Sequence, residues 1–249
     1  MLGTLNSDKE TLHRREPFRN DVVDSHSQDD FTIREIRETE SSHVSKIIKT
    51  ALITKHVLSR RLYIYFITSK ATLCYILLIA TILHFGFRTA SFATAIVIAT
   101  TVLSVHFLVG SLWIIRQKNN RYPDMNDPYL YYATKEGNSF WIIEQKGKII
   151  GTGAVLKKSP SCGEVNHMFV DSACRGRGFG RRLLETAINY CREYGYSTVA
   201  LSSDETRFEA RALYKKYGFK KVSEKHFGFM LPFVYLRSDL FELPLAQTE

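Results

Sequence analysis

Several features are scarce in this 249-residue chain, and each scarcity narrows what it can be. It has only four cysteines, Cys74, Cys162, Cys174 and Cys191, none in a Cys-x-x-Cys pair or another metal-ligand spacing. That argues against a disulfide scaffold or a structural metal and for free thiols, with no metal expected. No Asn-x-Ser/Thr sequon occurs, in keeping with a cytosolic catalytic part. The net charge is +9, yet the chain has neither a recognisable nucleic-acid module nor a stripe of alternating basic and aromatic residues, so no nucleic-acid partner is expected. Residues 1 to 60 carry ten basic and ten acidic side chains, so the whole positive excess lies from Arg61 onward, where it suits anionic lipid or a phosphate-bearing ligand.

Long apolar runs, by contrast, are present. Ala71 to Phe87 and Ala90 to Ile115 are nearly free of charge and are separated by Arg88-Thr89. The first is just long enough to cross a hydrocarbon layer and the second more than long enough. So long an apolar stretch without a polar face is hard to bury in a small soluble domain. The expectation is a membrane hairpin over residues 62–118, made of segments 71–87 and 90–115, with membrane lipid as a partner. It either crosses the bilayer or enters and returns. Arg60, Arg61 and Lys70 precede it, and Arg116, Lys118 and Arg121 follow it, which places both flanks on the cytosolic side. The run lies too far from Met1 to read as a cleaved signal peptide.

Around this insert the pattern is that of a small α/β domain. Residues 1–30 are polar and mixed in charge, an expected disordered tail. Residues 31–61 supply a first strand, alternating from Phe31 to Arg37, and a helix from Glu40 to Leu58. After a linker from Tyr122 to Tyr132 that leads into a short helix through Ala133, the core resumes within residues 119–249. Phe140–Glu144 and Lys148–Val155 form a hairpin whose turn uses Gly147. Glu164 to Val170 reads as a strand running into Arg175-Gly176-Arg177-Gly178-Phe179-Gly180-Arg181, a basic glycine-rich turn. Leu183, Leu184, Ala187, Ile188 and Cys191 then share one helical face, and Gly195 stands at the C-cap. Ser197–Leu201 is the next strand, Phe208–Tyr217 the next helix, and Gly218-Phe219 its stop. A glycine turn between strand and helix lets backbone amides approach an anion, with the helix dipole behind them. Cys174 lies in that turn without an activating partner and reads as a small loop residue.

These two blocks resemble the GNAT superfamily of acyl-CoA N-acyltransferases. Arg175, Gly178 and Gly180 match its Arg/Gln-x-x-Gly-x-Gly/Ala loop, and Ala210 through Tyr214 to Gly218-Phe219 matches its Ala-x-x-x-Tyr-x-x-x-Gly-Phe segment. The resemblance covers about Phe140 to Leu240. The layout of strand, helix, apolar double segment and Phe-Trp-x-x-Glu ahead of the loop is similar to the camello or N-acetyltransferase 8 family, whose members are membrane-bound, usually at the endoplasmic reticulum.

The resemblance implies an α+β fold: a mixed, mostly antiparallel central sheet flanked by helices, with the membrane hairpin inserted. It implies transfer of acetyl from acetyl-CoA, as co-substrate, to a primary amine: an amino acid, a cysteine S-conjugate or a protein lysine. Pyrophosphate falls to the turn residues Arg175, Gly176, Arg177, Gly178, Phe179, Gly180 and Arg181, and pantetheine to the strand edge of Met168, Phe169 and Val170. Tyr214 matches the family's tyrosine that serves the departing thiolate. Some relatives place a glutamate base twelve residues earlier, where this chain has Ser202, so the expected base moves to His167 or Glu164. An imidazole titrates near neutrality, and strict alternation sets His167 on the face of Val165 and Phe169. The missing glutamate also admits another reading, a non-catalytic CoA-binding or membrane-shaping hairpin protein. Oligomeric state has no signature in the sequence.

Overall fold

The computed structural model describes residues 31–54, 59–86, 91–116, 122–229 and 231–246. The expected tail of residues 1–30 lies outside them. Seven strands form one sheet: β1 (Phe31–Glu35), β2 (Ser139–Gln145), β3 (Lys148–Ser159), β4 (Cys162–Val170), β5 (Thr198–Asp204), β6 (Lys220–Phe229) and β7 (Leu231–Pro244). Their order is β1-β2-β3-β4-β5-β7-β6, and every neighbouring pair is antiparallel except β4 with β5. Among the described residues six α-helices accompany them: α1 (Ser41–Ile48), α2 (Arg60–Thr68), α3 (Lys70–Gly86), α4 (Phe92–Arg116), α5 (Phe179–Tyr194) and α6 (Phe208–Lys216).

The alternation of β2 explains why the sheet is covered on both sides. Phe140 and Ile142 join Val44 and Ile48 of α1, with Met125 and Tyr132, on one face. Trp141 and Ile143 join Leu183, Leu184, Ala187 and Ile188 of α5 on the other. A strand whose successive side chains all meet apolar partners is a central strand buried on both faces. The β2–β3 turn is tight because Lys146 and Gly147 both take positive φ, 49° and 73°, the requirement of a two-residue hairpin that follows the strand twist. Gly195 caps α5 in the left-handed region at φ 90°, as its position in the sequence predicts.

Two expected elements differ in detail. The helix expected to run to Leu58 is α only to Ile48 and continues as a π-helical turn, Lys49–Thr54, while residues 55–58 lie outside the described set. The expected linker from Tyr122 is built of a 3-10 turn, Pro123–Met125, followed by a π-helical turn, Tyr129–Ala133.

The apolar runs form α3 and α4, which pack side by side. Contact is confined to a stripe: Ala95, Ala99, Leu103 and Phe107 of α4, four residues apart, meet Ile76 and Ala80 of α3 and Leu62 and Phe66 of α2. Small residues on part of the stripe let the backbones approach. The outward faces are also apolar: Leu77, Leu78 and Ile82 on α3 and Val97, Val102, Val105, Val109 and Leu112 on α4 are each more than half exposed. Phe92–Trp113 is long and apolar enough to cross a membrane; α2 and α3 meet the same criterion only as a pair bent by 62°. The bend falls at Ser69, whose hydroxyl accepts the Thr72 amide at 3.2 Å and so starts α3 as a new helix.

Candidate active site

The site grows from an interruption in β4. Its parallel pairing with β5 covers only Cys162–Val165 against Thr198–Leu201; from Asn166 to Val170, β4 has a strand partner in β3 alone. β5 meanwhile stays with β7 as far as Asp204, so the two strands part and leave one edge of β4 without a strand partner. Backbone groups on such an edge demand a partner, and an extended ligand can supply it.

A second irregularity sits on the same stretch. Thr152 of β3 pairs with Phe169 and Ala154 with Asn166, so His167 and Met168 together oppose the single residue Gly153. This is a β-bulge, and His167 takes φ 52°, a conformation that costs a non-glycine residue about 1–2 kcal/mol. Thr152 Oγ1 donates to the His167 carbonyl at 2.9 Å and holds the bulge closed. The bulge overturns the strict alternation read from the sequence. Val165, Met168 and Val170 turn toward α5. The His167 ring instead turns toward the α1 side, between Tyr122 and Tyr132, whose rings stand edge-on with centroids 6.2 and 6.0 Å away.

There His167 meets Asp124, with Nε2 and Oδ2 2.6 Å apart, and Tyr132 donates its hydroxyl to the same oxygen at 2.7 Å. The side chains are nearly sealed, 8% exposed for His167 and 17% for Asp124. Burial alone pushes the Asp124 carboxyl up, but the hydrogen bond and charge of His167, with the Tyr132 hydroxyl, hold it below its ordinary range. Burial, and then the charge of Asp124, push the Tyr132 phenol upward. Sequence reasoning missed Asp124 and Tyr132 altogether. Glu164 stands on the same strand with its carboxylate 4.0 Å from Lys158 Nζ, and among the described residues no hydrogen bond joins it to His167.

On the opposite face, β4 runs into the glycine-rich turn. Gly176 and Gly178 take φ 81° and 83° with open space where a Cβ would stand. Gly178 is the N-cap of α5 and has no side chain to satisfy the first amides; the first intrahelical bond is donated by Arg182 to the Gly178 carbonyl. The amides of Phe179, Gly180 and Arg181 therefore lack an intrahelical acceptor, the geometry that receives a phosphate. The Phe179 side chain is buried against Phe31, so only its backbone faces the turn. Arg175 donates from Nε to the Val170 carbonyl at 3.2 Å, which steers it along the end of β4. Arg177 lies over the Phe179 ring and Arg182 over Phe31, while Arg181 is exposed.

Tyr214 is buried on this same face, 7% exposed, beside Phe219 and Phe241. Burial pushes its phenol up, with the charge of Arg207 acting the other way. Ser202 is exposed. The neighbouring acids are engaged: Asp204 holds Arg207 at 2.8 Å, and Glu205 accepts from the Tyr65 hydroxyl at 2.8 Å and from the Arg237 amide at 2.9 Å. Among the described residues no group of three or more His, Cys, Asp or Glu side chains could hold a metal ion.

A mixed sheet opened between two parallel strands, with an anion turn at the end of the opened strand and titratable groups on both faces, defines an acyl-CoA acyltransferase of the GNAT type. The family model described as Acetyltransferase (GNAT) family matches residues 110–219. The human N-acetyltransferase 8B is 32% identical over 154 residues, 56% of this chain and 68% of that protein. Human N-acetyltransferase 8 is 35% identical over 109 residues, 42% of this chain and about half of that protein, 48%. A solved GNAT-family acetyltransferase from Staphylococcus aureus shares the fold with a TM-score of 0.53 at 15% identity, covering 87% of this chain and 99% of that one. The chain belongs to the GNAT family, as an N-acetyltransferase 8-like member, and is an acetyl-CoA-dependent N-acetyltransferase.

Proposed function

We propose that this enzyme is anchored in a membrane through α3 and α4 and moves acetyl from acetyl-CoA to a primary amine by direct attack, with its site on the cytosolic side. The observation that carries this reading is the end of β4–β5 pairing at Val165–Leu201, directly before the strand that leads into the glycine turn. In this reading pantetheine takes the place of a strand along Met168–Val170, and the pyrophosphate rests on the amides from Gly176 to Arg181, with Arg175 beside it. The thioester then lies in the gap between the two faces of the sheet. One strand amide polarises its oxygen, a contact of the kind that lowers an acyl-transfer barrier by roughly 3 kcal/mol.

His167 acts as the base. It takes a proton from the acceptor ammonium, and the neutral amine attacks the carbonyl carbon. The C–N bond forms and the C–S bond breaks. The thiolate leaves with a proton delivered by Tyr214, which is replenished by the remaining ammonium proton of the adduct. Glu164 is the weaker candidate for the base because its nearest charge partner is Lys158. The acceptor class is an amino acid, a cysteine S-conjugate or a protein lysine. The two apolar outer faces support the anchor, since more than half of each of those side chains faces outward without protein cover. The resemblance to membrane-bound relatives favours the endoplasmic reticulum.

The test is CoA release by detergent-solubilised protein from acetyl-CoA with amino acids, S-benzylcysteine, polyamines and a lysine peptide. Turnover on one class, reduced in Tyr214→Phe and His167→Gln, is expected. Turnover unaffected by either substitution would remove both residues from the mechanism. Recovery of the protein in the soluble fraction without detergent would remove the anchor.

A further inference from the structure

Asp124 comes to the site from 43 positions upstream of His167, on the segment that follows α4, and the structure fixes it there residue by residue. Met125 is buried, and its carbonyl accepts the hydroxyl of Ser45 from α1. Asn126 accepts Lys49 Nζ at 2.8 Å, and Asp127 accepts the Ser41 hydroxyl at 2.6 Å. Four consecutive residues are thus each tied down, three to α1 and the turn after it and one to the imidazole. Tyr122 and Tyr132 flank the ring edge-on, and Tyr132 shares the carboxylate oxygen. These bonds fix to α1 the segment that carries the Asp124 carboxylate to the ring nitrogen.

The chemistry of the pair decides the tautomer. An ionised carboxylate only accepts hydrogen bonds, so His167 Nε2 must carry the hydrogen, and in the neutral ring the lone pair is on Nδ1. Nδ1 has no protein partner among the described residues. We propose that Asp124 is the positioning residue of this site: it holds the His167 ring with Nδ1 presented to the acceptor ammonium and balances the imidazolium that forms when the proton is taken. Tyr132 supports it by donating a second hydrogen bond to the same oxygen. The inference rests on His167 being the base, and it adds what that reading lacks, a reason for the ring to face one way. Removing an orienting carboxylate while keeping its shape leaves the wrong ring nitrogen protonated and costs roughly 10²–10⁴-fold in turnover.

Two measurements on the purified full-length protein test it. The first is ¹⁵N NMR of the neutral His167 ring, assigned with His167→Gln; a protonated Nε2 and a bare Nδ1 are expected, and the reverse would overturn the proposal without reference to any acceptor. The second compares Asp124→Asn, Asp124→Glu and His167→Gln with S-benzylcysteine and a lysine peptide. Asp124→Asn is expected to lose at least ~10²-fold in kcat with little change in KM for acetyl-CoA, and Asp124→Glu to recover part of it. Loss in His167→Gln with full activity in Asp124→Asn would overturn the positioning role and leave the base intact. Full activity in His167→Gln would instead overturn the base itself. Should Asp124→Asn fail to fold, the NMR result on the unaltered protein still decides.

Discussion

The two faces of β4 are built in opposite ways. Toward α5, the proposed CoA-binding groups come from one continuous stretch, Met168 through Arg181, in which a strand end, two glycines at positive φ and a helix N-terminus follow in order, and Tyr214 alone is added from α6. Toward α1, the groups come from three separated places: His167 on a bulge, Asp124 in a 3-10 turn and Tyr132 in a π-helical turn. The first face is local backbone geometry, and the second is tertiary placement of side chains. The lesson is a division of labour. In the proposed mechanism, backbone amides hold the co-substrate, and side chains brought from a distance take the proton of the acceptor ammonium.

That contrast can be broken from either side. The largest effect is expected on the α1 face, where His167→Gln lowers kcat by roughly 10²–10⁴ while CoA affinity by calorimetry stays within about twofold. Next comes Tyr214→Phe on the α5 face. Removing the hydroxyl proposed to serve the thiolate is expected to lower kcat by about 10², the low end of the acid–base range, because a thiolate leaves more readily than an alkoxide or amide. CoA affinity is again retained, and an unchanged kcat would reduce Tyr214 to a core residue beside Phe219 and Phe241.

The third effect belongs to binding. Gly178→Val forces a β-branched residue to φ 83° and fills the open side of the turn; at about 1–2 kcal/mol of backbone cost alone it weakens CoA by roughly tenfold. Gly180→Ala sharpens the point. A Cβ there meets nothing nearer than Leu213 and Val170 at 3.9 Å, so any loss of CoA affinity in that variant reports close approach of the ligand to the backbone.

The smallest effect lies where α2 touches α6. Arg61 donates to Glu209 at 2.7 Å and draws its carboxyl down to about 2, although both side chains are mostly exposed. A depressed carboxyl stabilises the fold above its unfolded value and loses that contribution as pH falls through its folded one. Arg61→Ala is therefore expected to cost less than ~1 kcal/mol at pH 7. The gap between the two melting curves should close as pH falls from 4 toward 2. A gap that persists at pH 2 would show that Arg61 acts by packing instead.

How much of this was legible in the sequence follows the same division. The glycine turn, the α5 face from Leu183 to Cys191 and the Gly195 cap all announce themselves through spacing, because each depends on neighbours within a few residues, whereas Tyr214 stands out only through the family resemblance. The apolar helices were legible as well, to within a residue or two; the Ser69 bend was not, since a serine inside an apolar pattern carries no direction until its hydroxyl caps the next helix. His167 was visible as a candidate but placed on the wrong face. Its turn depends on two residues of β4 opposing Gly153 on β3, and pairing of that kind is not written in either strand alone. Asp124 looked like part of a linker. Tyr122-Pro123-Asp124 signals a turn through proline, but nothing in those residues indicates a partner 43 positions away.

The proposed division, with CoA held at the glycine turn and the acceptor ammonium deprotonated at His167 on the other face of β4, is tested most directly by calorimetric titration of CoA into Gly178→Val and His167→Gln beside the unaltered protein. Affinity lost in Gly178→Val and preserved in His167→Gln is the predicted result. Equal losses in both, or loss only in His167→Gln, would contradict the division and place the imidazole in the CoA site itself.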